Sequence, residues 1–319
     1  MPAESLDDTL RIYADVLRHP HLPDDQFEDA VKVCVQELAS LEDDLAQRTL
    51  LELKRRHFPE PYGRNTLGTL EALRDVSMSD VSRHFRTHFH PAGSILSVAG
   101  KVDWPRIVDV VGESLGDWDV PAAPPVVPTP APGGSVHLPH DSQQTHIAIA
   151  YPTVTYRDPD YFQARGAVGV LSDGLSSRLF REVREIRGLC YTVYSSLHSL
   201  RDQAAVVTYS GTSAERAQET LDVTIDLLRD LRFGIDEQEL ARLKIQIRSS
   251  LVMQQESSRA RASAIAGDWY HLREVRTLAQ VQERIEALTV ASINEFLSEH
   301  PPYRFDVVTL GSQPLEIHE

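Results

Sequence analysis

Two short stretches, far apart in the chain, constrain the architecture more than anything else in it. Residues 9–18 read TLRIYADVLR and residues 220–229 read TLDVTIDLLR. Five of the ten positions are identical, Thr9/Thr220, Leu10/Leu221, Asp15/Asp226, Leu17/Leu228 and Arg18/Arg229. Shifted by 212, Asp24-Asp25-Gln26 answers Asp236-Glu237-Gln238, and Lys32 answers Lys244. Further on, EALRDVSMSDVSRHF with SILSVAG beyond it (residues 71–100) parallels EALTVASINEF with FDVVTLG beyond it (residues 286–311). Both read as turn, helix, proline, strand, glycine. Amphipathic helices can resemble one another by chance, but three matches in one order point to an internal duplication.

Between the copies, residues 119–135 read DVPAAPPVVPTPAPGGS, with six prolines between Pro121 and Pro132. Such a segment is stiff and extended, at about 3.1 Å per residue. It predicts two domains, 1–118 and 136–319. The copies are unequal. Residues 136–219 precede the first match in the second half, whereas only eight residues precede Thr9. In the second half that opening contains an expected strand at 146–151 and an expected helix at 161–171. The first half is therefore expected to be incomplete, either reduced or begun inside the domain. The fold class expected is α+β: two similar halves, each an antiparallel-rich sheet packed with helices, the first missing its opening strand and helix.

Composition serves mainly to exclude. The formal net charge is -15 and the pI about 5.3. That argues against a nucleic-acid partner, which needs a basic face, and against an anionic membrane surface. No apolar run is long enough to span a bilayer. The start, MPAESLDDTLRIYADVL, has neither the basic region nor the apolar region of a signal peptide. Cys34 and Cys190 match no metal or redox spacing, which fits a reducing cytoplasm.

The stretch SSRLFREVREIRGLCYTVYSS (residues 176–196) carries four arginines, Arg178, Arg181, Arg184 and Arg187, then Gly188 and an alternating strand pattern from Leu189 to Tyr194. At 100° per residue, Leu179, Val183 and Ile186 form one apolar stripe. Arg178, Arg181, Glu182 and Glu185 fall on the opposite, solvated arc. Arg187 and Gly188 suit a helix C-terminus and its left-handed cap. Arg184 falls beside Phe180, between the two faces. On residue pattern alone, Arg184 and Tyr191 read as part of a solvated helix face and an ordinary strand tyrosine.

Taken together, SRLFREVREIRGLCYTVYS resembles the second-half signature of the pitrilysin and mitochondrial processing peptidase family of zinc metallopeptidases. The resemblance extends to DQFEDAVKVCVQELASLEDD, YGRNTLGTLEAL and FHPAGSILSVAG, nearly the whole chain. It implies two α/β halves closing like a clamshell on unfolded peptides. It implies that Arg184 and Tyr191, at R-x6-Y spacing, position the peptide and stabilise the transition state. It also implies that Glu37, at the end of AVKVCVQE, is the distal ligand of Zn²⁺. The residue pattern by itself makes Glu37 an ordinary helix glutamate.

The family's HxxEH motif supplies two histidine ligands and a general base. The sequence contains no HxxEH. His84 and His88 in HFRTH have one-turn spacing, but Phe85 and Thr87 stand where a glutamate base would have to be. His137, His140 and His146 lack a carboxylate motif, and the serines around Ser172 show no nucleophile elbow. The resemblance therefore predicts a metalloendopeptidase-family chain that neither holds catalytic zinc nor cleaves peptides alone. The alternative is a non-catalytic Arg/Tyr-bearing partner subunit or structural homologue, in a two-chain protease or a peptide-binding clamp; the partners expected are unfolded peptide and either a second copy or an HxxEH-bearing subunit.

Overall fold

The structure is a computed structural model that describes residues 2–318. In chain order, the helices up to the linker are α1 (Leu6–Arg18), α2 (Phe27–Asp43), α3 (Leu45–His57), α4 (Leu70–Asp75), α5 (Met78–His88) and α6 (Trp104–Leu115). Those after it are α7 (Tyr161–Ser172), α8 (Ala217–Asp230), α9 (Glu237–Gln255), α10 (Ser258–Leu272), α11 (Leu278–Glu286) and α12 (Val290–Glu299). The strands are β1 (Val136–Pro139), β2 (Gln144–Thr153), β3 (Cys190–Ser199), β4 (Ala204–Ser213) and β5 (Asp306–Gly311). Contacts divide the chain into two units. The first comprises residues 2–40, Thr66–Val127 and Gln254–Tyr270. The second comprises Leu41–Asn65, Pro128–Met253 and residues 271–318.

The second unit is an α+β layer structure. Its sheet runs β1-β5-β2-β4-β3, antiparallel except for the β1/β5 pair. Strand β2 is central and buried along most of its length, and its side chains alternate between faces as the pleat requires. Ile147, Ile149 and Tyr151 join the main core with Leu171 of α7, Leu221 and Leu228 of α8, Leu243 of α9 and Phe296 of α12. Ala148 and Ala150 point the other way, where Leu53 of α3 closes over them with Val308. Small side chains on that face let α3 approach the sheet closely, and His57 of α3 is tied to Asp306 of β5 at 2.8 Å.

The duplicated sequence produces duplicated structure. Residues 9–18 lie in α1 and residues 220–229 in α8. Helices α5 and α12 open on the same device: a Ser77 capping box closed by Asp80, and a Thr289 capping box closed by Ser292. Each box satisfies two of the N–H groups left without partners at a helix start.

One expected element of the first half is missing. Residues 94–100, SILSVAG, are expected as a strand by analogy with β5, but form none. The physical reason lies in what surrounds the two segments. β5 ladders with β1 on one side and β2 on the other, whereas all the strands among the described residues belong to the second unit. A strand without a neighbour gains no ladder hydrogen bonds, and residues 94–99 run irregularly. The apolar positions around them stay open. Leu221, Ile225 and Leu228 of α8 are buried, but of their α1 counterparts only Ala14 is; Leu10 and Leu17 are half-buried. They border a cavity of about 320 Å³ with Leu96 and Trp118. Helix α1 is held to α6 by Arg18, which donates to Asp117 and to the Ser114 carbonyl, both at 2.7 Å.

A candidate peptide-contacting site built on two irregular elements

The segment after α7 is not an α-helix. Phe180–Ile186 is a π-helical turn, with i→i+5 hydrogen bonding. It closes when the Leu189 N–H donates to the Val183 carbonyl at 2.8 Å, past Gly188 at φ +58. Glycine adopts that left-handed conformation without the strain a side chain would bring. Arg216 covers the exposed end by donating to the Gly188 and Arg187 carbonyls at 2.6 and 3.0 Å.

The wider turn corrects the rotational reading of this segment. Leu179 and Val183 are fully buried as expected, but Ile186, assigned to the same stripe, is 64% exposed. Arg178, assigned to the solvated arc, is instead anchored. It donates to both carboxylate oxygens of Glu239, at 2.7 and 2.8 Å, and to the Gly234 carbonyl at 2.8 Å. Burial pushes the Glu239 carboxyl up, but its hydrogen bonds from Arg178 and the Asp236 N–H outweigh this and hold it below its ordinary value. Arg181 does lie at the surface, donating to Glu182.

Arg184 and Tyr191 come together. The Arg184 guanidinium carbon lies 4.8 Å from the centroid of the Tyr191 ring and 4.8 Å from that of Phe180. Both separations are within cation–π range. Among the described residues Arg184 makes no hydrogen bond or ion pair, so two aromatic rings fix its position while its N–H donors stay unspent. Tyr191 is 81% exposed. It sits where the β3/β4 register slips between Cys190 and Thr192, a bulge that leaves Tyr191 without a partner residue on β4. π-turns and β-bulges recur at functional sites because each re-aims a side chain that regular geometry would direct elsewhere. Phe180 is a third member of this site, and its i, i+4 spacing to Arg184 is the sequence signal for it. Beneath the pair, Cys190 is buried, and burial pushes its thiol up to about 11, with Arg184 opposing the rise.

Glu37 lies on α2 in the first unit, exposed and without a hydrogen bond among the described residues. No group of three or more His, Cys, Asp or Glu side chains among the described residues is placed to hold a metal ion. The donors present therefore do not fit the catalytic zinc ion the resemblance implies, and no reaction step is assigned to one. Nor is any helix among the described residues long and apolar enough to cross a membrane.

Comparisons with known proteins place this chain in a family. Residues 75–247 match the family model described as the peptidase M16 inactive domain. An uncharacterized zinc protease of Mycobacterium tuberculosis is 30% identical over 315 residues, spanning 94% of this chain and 70% of that protein. One of Bacillus subtilis is 25% identical over 291 residues, spanning 89% and 70%. Among solved structures, a peptidase M16 inactive domain from Pseudomonas fluorescens superposes with a TM-score of 0.86 at 19% identity, covering 99% of this chain and 77% of that one. A protease from Helicobacter pylori superposes with a TM-score of 0.87 at 19% identity, covering 98% and 77%. The chain belongs to the M16 peptidase family, the family that the arginine- and tyrosine-bearing stretch resembles.

Proposed function

We propose that this chain is a peptide-binding member of the M16 family that holds extended, unfolded peptide through Arg184 and Tyr191 and does not hydrolyse it on its own. The observation that carries the proposal is the Arg184 guanidinium, fixed between the Phe180 and Tyr191 rings with no acidic partner among the described residues. A positioned cation with free donors suits a peptide carbonyl, and the exposed tyrosine offers an apolar plate and a hydroxyl beside it. Absence of an HxxEH motif from the sequence supports the non-hydrolytic part.

The test is fluorescence anisotropy with a labelled unstructured peptide. Arg184→Ala and Tyr191→Ala should each weaken binding by roughly ten-fold, the loss of about 1.4 kcal/mol, while Arg181→Ala leaves it unchanged. Equal affinity for all four proteins sinks the proposal. So does cleavage of the peptide that Glu37→Gln abolishes.

A second reading is a subunit that completes a site with an HxxEH-bearing partner. The open apolar surface of the first unit favours it: Ile12, Tyr13 and Val16 of α1 and Leu96 beside them are all exposed. Peptide hydrolysis that appears only on mixing with an HxxEH-bearing M16 chain, and is lost with Arg184→Ala, would select this reading over the first.

A further inference from the structure

Helix α5 carries a feature unconnected with the Arg184 site. His84 and His88, one turn apart, are both exposed, and their ring centroids lie 4.3 Å apart at an interplanar angle of 37°. Side chains at i and i+4 share a helix face, and here the two imidazole rings lie side by side. Neither makes a hydrogen bond among the described residues. Paired imidazoles suit divalent Cu, Ni and Zn, with Cu²⁺ held most tightly at a given nitrogen site.

Three further facts bear on the pair. The Ser77 capping box fixes the start of the helix, and Phe85 and Phe89, stacked at 4.7 Å, occupy the adjoining stripe, so the helix does not need the metal to form. His88 is the last residue of α5, where the helix dipole presents its negative end to a cation. Asp80 lies one further turn back on the same face. Hydrogen bonds from Ser77 and Arg83 hold its carboxyl down at about 2. Because the Ser77 hydroxyl and N–H take one Asp80 oxygen and Arg83 the other, the carboxylate supplies negative potential and stays out of the coordination shell.

We propose that His84 and His88 form a two-imidazole chelate for one divalent transition-metal ion, with Cu²⁺ bound tightest and water completing its coordination. The site is distinct from the family's zinc site: it uses no HxxEH and does not involve Glu37.

Copper titration of the full chain, followed by electron paramagnetic resonance, tests the proposal. The wild-type protein should take up one Cu²⁺ with a nitrogen-coordinated spectrum that a chelator removes. His84→Ala and His88→Ala should each weaken uptake by about ten-fold or more as the chelate becomes a single ligand. The Glu37→Gln and His137→Ala/His140→Ala variants should match wild type. Far-UV circular dichroism of the histidine variants should also match, since both side chains are exposed. Stoichiometric uptake that survives in His84→Ala/His88→Ala, or a wild-type spectrum without nitrogen coordination, overturns the proposal. So does loss of uptake in the His137→Ala/His140→Ala variant.

Discussion

Of the four arginines around the π-helical turn, Arg178 offers the sharpest test of how this segment is built. The side chains of Arg178 and Glu239 are only 20% and 15% exposed. Exposed ion pairs contribute about 0–1 kcal/mol, whereas removing one partner of a fully buried pair costs about 3–5 kcal/mol because it strands the other charge. Arg178→Ala falls between these limits. It leaves Glu239 with the Asp236 N–H at 3.0 Å and leaves the Gly234 carbonyl without its donor. A destabilisation of about 2–3 kcal/mol follows, and in a unit of about 200 residues this lowers Tm by about 5–10 °C.

The assay can be made specific to that unit. All three tryptophans, Trp104, Trp118 and Trp269, lie in the first unit, so tryptophan fluorescence follows the first unit alone. Far-UV circular dichroism then captures both units, and the second is read from the transition that fluorescence lacks. Arg178→Ala should move that transition, and Arg181→Ala should leave it within about 0.5 kcal/mol, as surface substitutions do. If the two variants are equally stable, Arg178 is a solvated helix residue after all and the π-turn geometry is wrong.

Three further outcomes follow from the second unit's core. Leu53→Ala should cost about 2–5 kcal/mol, because Leu53 is 1% exposed against Ala148 and Ala150; denaturant unfolding checks it. Burial holds His146 below its ordinary value of 6.5, with His140 adding to the effect and Asp44 opposing it. Below pH 6.5 the unfolded chain therefore binds more protons than the folded one, and stability falls as pH drops through the folded value. Melting curves between pH 7.5 and pH 5 should show that slope, reduced in His146→Gln. With its thiol pushed up to about 11 and its side chain buried, Cys190 should resist iodoacetamide at pH 8 until the protein unfolds, while the half-buried Cys34 reacts first, as peptide mass mapping can show.

What was legible in the sequence depended on periodicity and on repetition. The duplicated stretches located α1 and α8, and the helices α5 and α12, since each is encoded by a few residues acting locally. The expected strand at 146–151 and helix at 161–171 appear as parts of β2 and α7. The expected strand at 94–100 did not appear, because a strand is a property of its neighbours as much as of its own residues. The same limit explains the segment around Arg184. Rotation at 100° per residue presupposes i→i+4 bonding. A single widened turn shifts every later side chain, which is why Ile186 emerges at the surface while Leu179 and Val183 stay buried. Nothing in REVREI specifies that widening; the closure at Gly188 and the two carbonyls taken by Arg216, a residue 28 positions away from Gly188, are long-range facts. The same holds for Arg178, whose partner Glu239 is 61 positions distant. Sequence could name Arg184 and Tyr191 by resemblance, but only the π-turn and the β3 bulge together explain how side chains seven positions apart, on a helix and a strand, meet face to face.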